Sequence, residues 1–293
     1  MMIRFMGRFL ETHRIKNKPI KEGYKFFVLS TTKGFVVNFT PDGRMAAKNK
    51  EQEYSTRTNT GKIESMIFYI VDVIERFKSR QANRMKKYSR ASRRQKNSEE
   101  FDEVVMKNFC IAMDNYFTLP GAISKLRELG IGIVGTARFS GNWPPTKLKE
   151  IKQENSNFND FYYQYDEFGT LCARWMDNGL VFCVSTIHKV GGTVKRCRKR
   201  PRITCKNSNH VKKVWGDDSK KDIYIPKLID NYNHWMGGVD LSDQRIAYYH
   251  PNLRSRRNWI PMFVQIMSIV RNNAYIVHRE YFKNEALSHK NSR

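Results

Sequence analysis

Acid is what this sequence lacks. Its 293 residues hold 28 Asp and Glu against 53 Lys and Arg, a formal net charge of +25. A chain so unbalanced repels itself until an anion answers it, which points to nucleic acid and less often to an anionic membrane face. Long apolar runs are missing as well. No window approaches the roughly 18 uninterrupted apolar residues of a spanning helix. The opening MMIRFMGRFLETHRIKNK is too charged, and its apolar run too short, for a secretory signal. Membrane insertion and secretion are therefore not expected. Cysteine is sparse: Cys110, Cys172, Cys183, Cys197 and Cys205 form no dense or even framework, which fits a reducing compartment. Cys197, Cys205 and His210 match no paired-cysteine zinc spacing, so unpaired thiols beside a basic segment are the better reading.

What is present suffices for a folded core, since 40% of the residues are hydrophobic. The N-terminal third alternates like a sheet: IRFMGRF, then 24–30 and 34–40, with Thr32-Lys33-Gly34 as a tight hairpin turn. Asn17-Lys18-Pro19 reads as an extended connection. Residues 62–77 switch to helical spacing through Ile63, Met66, Ile67, Ile70, Val71 and Ile74. FCIAM, ending at Asp114, has the pattern of a buried central strand, 120–130 that of a helix, and Gly132–Thr136 that of a second buried strand. Strand, helix and strand in that order predict a parallel pair with a right-handed crossover. Residues 140–230 read as looser, with a hairpin over 170–187 turning at Asp177-Asn178-Gly179. Beyond Pro226 the chain reads as helical, first over 226–249 and then from Asn258 to about Phe282. In the last helix Met262, Phe263, Ile266, Met267, Ile269, Val270 and Ala274 form an apolar stripe expected to be core.

Two tracts concentrate the positive charge. Residues 78–98 carry nine Lys and Arg, among them Lys86, Lys87, Arg93 and Arg94, with no acid. Residues 195–202 contain Lys195, Arg196, Arg198, Lys199 and Arg200. Each reads either as a solvated loop or as a phosphate-tracking contact, and the second also as a nuclear-localisation patch.

In a chain so short of acid, carboxylates on central elements are conspicuous. Asp114 ends an apolar strand, and Asp240 opens a helix in Gly237-Gly238-Val239-Asp240-Leu241-Ser242-Asp243-Gln244. Singly, Asp114 reads as a turn cap and Asp240 as a partner of the helix dipole. Together they suggest a site for Mg²⁺ or Mn²⁺. Their order along the chain favours the pair: hairpin, central strand ending in Asp, crossover and late helix bearing Asp are the parts of an α/β, ribonuclease H-like fold.

With Ile3-Arg4-Phe5-Met6-Gly7-Arg8, Asn17-Lys18-Pro19, Met113-Asp114-Asn115-Tyr116-Phe117-Thr118, Gly132–Arg138, Tyr232-Asn233, Gly237–Gln244 and Trp259-Ile260-Pro261 in family order, the chain resembles the piggyBac-type transposases and proteins derived from them. The resemblance implies a ribonuclease H-like transposase core divided as 1–139, an inserted, looser β-containing region over 140–225, and a helical end over 226–293. It implies a three-aspartate, Mg²⁺- or Mn²⁺-dependent DNA transposase cutting at TTAA, with Asp114 as second aspartate, Asp240 as third and Asp243 as an acidic neighbour. Aligned from Asn17, however, the first aspartate's position holds Thr31, which has no charge; Asp42 is the nearest acid, beyond the next strand. On this resemblance the chain also begins inside the family core and ends before a cysteine-rich domain. The expected function is a truncated, DNA-binding and catalytically impaired transposase-derived protein in the nucleus, with a homodimer left open. The alternatives are a residually active transposase and the product of a decayed element without selected function.

Overall fold

A computed structural model describes residues 1–42, 61, 63–73, 76, 110–138, 143, 145–153, 156–177, 179–203, 208–251, 253 and 255–282. The chain divides into two compact units, residues 1–77 with 235–293, and residues 78–234. The tract 78–98, with Lys86, Lys87, Arg93 and Arg94, lies outside the described residues, as does Cys205.

The first unit is built on a long central strand. β3 (Glu22–Ser30) pairs antiparallel with β1 (Met2–Arg4) and β2 (His13–Arg14) over its first half and with β4 (Val36–Pro41) over its second. The expected turn at Thr32-Lys33-Gly34 is formed, and Gly34 takes φ +84°, a left-handed conformation open to glycine at no steric cost. Ile3, Phe5, Tyr24 and Phe26 make one apolar cluster with Val28, Phe39 and Met262 against it. Val36 makes another with Ile246 and Ile269, which come from α6 (Gly238–Tyr248) and α7 (Trp259–Tyr281). Helix α1 (residues 63–73) buries Met66, Ile67 and Val71 of the predicted face together with Phe68, which was not in it; Ile63 and Ile70 are half-buried, and Ile74 lies outside the described residues.

Helix α7 overturns the expectation about its stripe. Phe263 (53%), Ile266 (41%), Met267 (53%) and Val270 (56%) are exposed, as is Ala274, and Met262 is only half-buried. Ile269 alone of the seven is buried, and it shares the inner face with Gln265, Ser268, Asn272 and Ile276. The reason lies in what that face meets. The hairpin end presents backbone groups that need hydrogen bonds, and a buried backbone N–H or C=O left unpaired is costly. Asn273 accepts from Val36 N–H (2.9 Å) and donates to Val36 C=O (2.8 Å); Asn272 donates to Gly34 C=O (2.9 Å). Amides therefore occupy the interior where hydrophobic spacing predicts the opposite face.

The second unit carries a five-stranded sheet in the order β5-β6-β9-β8-β7. β5 (Cys110–Met113) and β6 (Gly132–Thr136) are parallel, joined through α2 (Pro120–Glu128), as the strand–helix–strand pattern predicts. β7 (Phe161–Tyr165), β8 (Leu171–Met176) and β9 (Leu180–Ser185) continue it antiparallel, and β8–β9 is the expected hairpin. One helical turn, α3 (Thr146–Lys149), precedes β7. The region read as loose is more ordered than expected. It also holds α4 (Ser208–Trp215) and a separate ribbon of β10 (Thr193–Lys199) with β11 (Lys220–Pro226), before α5 (Lys227–Trp235). The 195–202 tract is thus mostly a strand rather than a loop; its run of lysine and arginine hides an alternation in which Arg196 and Arg198 share the face opposite to that of Lys195 and Lys199.

The placement of α7 predicts a separation in stability. Ile269→Ala should cost about 2–4 kcal/mol through the cavity it leaves, whereas Phe263→Gln should change stability by less than ~0.5 kcal/mol. Urea unfolding of both variants checks this, and a larger loss for Phe263→Gln would return the apolar stripe to the core.

Candidate functional site

Each unit presents its own acidic locus. In the first, the end of β3 meets the first turn of α6. A Cβ on Gly238 would lie 2.2 Å from Thr31 O and 2.7 Å from Ser30 Oγ, so only glycine lets the helix start against the strand end. Thr31 Oγ1 accepts from Phe35 N–H (3.2 Å), which makes it part of the hairpin turn. Arg245 of α6 donates to Lys33 C=O (2.7 Å), and Lys33 pairs with Glu280 of α7 (2.7 Å). Thr31 and the start of α6, to which the resemblance assigns the first and third acidic positions, are thereby held together. Asp240 lies in the first turn of α6 and is exposed, where the helix dipole favours negative charge. Burial pushes the carboxyl of Asp243 up, and the like charge of Asp240 adds to the shift.

Asp42 is disposed otherwise. It follows the far end of β4, where Phe26 faces Pro41, while Thr31 follows the end where Ser30 faces Val36. Its carboxylate is buried and bonded to Lys25 (2.8 Å). It holds the opposite end of the hairpin and does not supply the charge that Thr31 lacks.

In the second unit Asp114 sits immediately after β5, at the carboxyl end of the parallel pair, the edge where open α/β sheets bind ligands. Its Oδ1 accepts from Tyr116 N–H (2.9 Å), and its carbonyl accepts from Thr118 Oγ1 (2.7 Å). The Asn-Tyr-Phe-Thr that follows is thus an aspartate-nucleated turn. Gly135 of β6 makes room for it: a Cβ there would lie 2.7 Å from Thr118 Oγ1 and 2.8 Å from Met113 O. Asp114 is exposed, and Oδ2 has no partner among the described residues. Beside it Arg138 donates to Asn115 Oδ1 (3.3 Å), and Tyr232 bonds Thr136 (3.2 Å) with its phenol pushed up by burial.

The basic strand β10 divides by face. Arg196 forms a two-pronged pair with Asp230 (2.7 Å each), and Arg198 reaches both carboxylate oxygens of Asp177 (3.0 Å each) while lying over the Trp175 ring. Arg200 donates to Gly216 C=O (3.2 Å). Lys195 makes an exposed pair with Asp222 (3.4 Å), and Lys199 is exposed without a carboxylate among the described residues. Sequence reasoning had no signal for these arginine–carboxylate pairs, because Asp177 and Asp230 are distant along the chain. It likewise missed a Ser185–His188–Asn231 chain (2.7 and 2.9 Å), in which Ser185 also donates to Ile133 C=O (3.1 Å). Ser185 is 1% exposed, so this chain ties β9 to α5 and offers no nucleophile to a substrate.

A family model described as Transposase IS4 matches residues 1–275. The chain belongs to that transposase family. Its curated relatives are of the piggyBac kind: PiggyBac transposable element-derived protein 3 of Homo sapiens is 24% identical over 285 residues, covering 96% of this chain and 39% of the relative. PiggyBac transposable element-derived protein 2 of Homo sapiens is 23% identical over 267 residues, covering 90% of this chain and 37% of the relative. The chain thus spans about two fifths of the length of these relatives. The fold matches a piggyBac transposase synaptic complex with hairpin DNA, seen by cryo-EM, with a TM-score of 0.66 and 18% identity over 100% of this chain and 49% of that one. The mixed α/β architecture, with a hairpin in one unit and a parallel β5–α2–β6 in the other, is consistent with a ribonuclease H-like core.

Transposases of this family generally depend on a divalent metal. On the resemblance, the first carboxylate's position holds Thr31, a hydroxyl committed to a turn, and that donor set does not fit the ion. Among the described residues no group of three or more His, Cys, Asp and Glu converges to hold an ion. Among those residues, too, no helix is long and apolar enough to cross a membrane.

Two outcomes are expected. Gly238→Ala forces the α6 start off the β3 end and should cost roughly 1–3 kcal/mol in denaturant unfolding, as overpacking does; a neutral result would mean that α6 is not seated on Thr31. Hydrogen bonds from Arg196 hold Asp230 below the usual carboxylate range. Its stabilisation is therefore complete above about pH 4 and is lost as pH falls through the lowered value. Arg196→Gln should therefore lower stability at pH 7, and by progressively less as pH falls below about 4, measured by urea unfolding followed by circular dichroism at several pH values; an equal loss at every pH, or none, would remove the Asp230 pair from the fold's pH dependence.

Proposed function

We propose that this chain is a piggyBac transposase-derived DNA-binding protein that does not cut DNA. The observation that carries the reading is Thr31. It stands at the end of β3 against the α6 turn bearing Asp240, and its hydroxyl is engaged by Phe35 N–H. Cleavage on two metal ions needs fixed negative charge to offset their mutual repulsion. A threonine supplies none, and Asp42 is committed to Lys25. DNA binding is supported by the +25 charge and by the fold's likeness to a transposase complex that holds hairpin DNA. Binding of this kind is electrostatic, weakly selective and steeply salt-dependent. Nuclear residence belongs to the same reading. It follows from where the DNA is rather than from 195–202 acting as an import tag, since those residues are largely paired in β10.

Residual Mg²⁺- or Mn²⁺-dependent strand cleavage is the second reading, favoured by the exposed carboxylates of Asp114 and Asp240. A nicking assay on supercoiled plasmid with Mg²⁺ or Mn²⁺ separates the two. Wild type should leave the plasmid intact, and Thr31→Asp should gain at most slow, non-specific nicking. Robust wild-type cleavage abolished by Asp114→Asn would overturn the proposal. Duplex affinity should meanwhile fall steeply between low and physiological salt; a flat response would remove DNA binding itself.

A further inference from the structure

The β10–β11 ribbon has two unlike faces. Directly opposed residues of an antiparallel pair share a face, and faces alternate along each strand. The register sets Lys195 opposite Tyr224, Cys197 opposite Asp222 and Lys199 opposite Lys220, all on one side. All six are exposed, Tyr224 at 61%. The other side holds Val194, Arg196 and Arg198 opposite Ile225, Ile223 and Lys221. Its arginines are taken by Asp230 and Asp177, Arg196 while still 45% exposed, and Ile225 is buried.

The outward face carries an energetic anomaly. Like charges directly opposite one another destabilise a strand pair, yet Lys199 faces Lys220 with no carboxylate within ion-pair distance of either among the described residues. Asp217 and Asp218 stand just before Lys220 in sequence and pair with neither lysine. Lys195 is tied only to exposed Asp222 at 3.4 Å, a contact readily exchanged for another anion. Same-face residues two apart lie about 6.6 Å from each other along a strand. Lys195 and Lys199, four apart, therefore stand about 13 Å from each other, with Lys220 beside Lys199 and the exposed Tyr224 ring beside Lys195, on a ribbon whose other face is held by the two arginine pairs.

We propose that this outward face, Lys195, Lys199 and Lys220 with Tyr224, is a contact for the sugar-phosphate backbone of duplex DNA, and that Arg196 and Arg198 position the ribbon without touching DNA. The proposal rests on the DNA-binding reading and divides the basic tract by role. It adds Lys220 and Tyr224 of β11, and it takes two arginines out of the interface.

The test compares the full chain with two double variants of equal charge change, Lys199→Glu/Lys220→Glu on the ribbon and Lys147→Glu/Lys152→Glu elsewhere in the same unit. Fluorescence anisotropy on a duplex is read across a salt series. The ribbon variant should lose at least about tenfold in affinity and about two in the slope of log K against log salt, while the control stays within about threefold. Equal losses in both would overturn the ribbon and leave DNA binding standing. No binding by the wild type at low salt would overturn the underlying reading. A second measurement keeps every lysine in place. Cys197 lies on the same face between Lys195 and Lys199, so in a Cys205→Ser background it should form a disulfide with a thiol-tethered duplex. Bound duplex that never captures Cys197 would overturn the proposal even if the charge-reversed ribbon failed to fold.

Discussion

Two adjacent asparagines on α7 close the first unit. Asn273 gives Val36 both an acceptor and a donor, as a neighbouring strand would, and Asn272 takes the carbonyl of Gly34. With these bonds the turn of the β3–β4 hairpin is fixed on α7, while Arg245 fixes it on α6 through Lys33 C=O. The strand end at Thr31 then has nowhere to move, and α6 approaches it closely because residue 238 is glycine. The position of Asp240 follows from these bonds together with the packing of Ile246 against Val36 and Ile269. Buried amides that find their partners specify one arrangement, because each misplacement leaves a polar group unpaired.

The second unit reaches a similar result by a different device. Asp114 both nucleates the turn after β5 and presents its second carboxylate oxygen at the strand's carboxyl end. Thr118 holds the turn through the Asp114 carbonyl, and Gly135 leaves space for Thr118. The Asp-Asn-Tyr-Phe-Thr sequence is thus explained locally by turn geometry.

Much of this was legible in the sequence. Apolar runs bounded by turn residues marked β3, β4, β5, β6 and the β8–β9 hairpin, and the parallel β5–β6 pair follows from the helix that connects its strands. What escaped was decided by partners far away in sequence. The stripe through Phe263, Met267 and Val270 has the right period for a core face, but periodicity records which residues share a face and not what the face meets. The inner face of α7 meets a hairpin end rich in backbone groups, and Asn272 outcompetes Phe263 for it. β10 was missed for the converse reason: its paired arginines find Asp177 and Asp230, and charge paired so far along the chain looks like solvated loop.

The two functional properties have unequal tolerance of substitution. Metal-dependent cleavage concentrates its requirement on a few carboxylates, so on the proposed reading an uncharged residue at one position, Thr31, would be enough to remove it without disturbing the fold. Electrostatic binding sums over many cations, each contributing independently to a logarithmic salt dependence. With 53 Lys and Arg against 28 Asp and Glu, loss of any one lysine changes the total little. The paired ribbon adds what diffuse charge cannot, a fixed spacing between cations. On the function proposed above, a chain that keeps its cationic surface but lacks one carboxylate would retain DNA affinity as the property least sensitive to single substitutions.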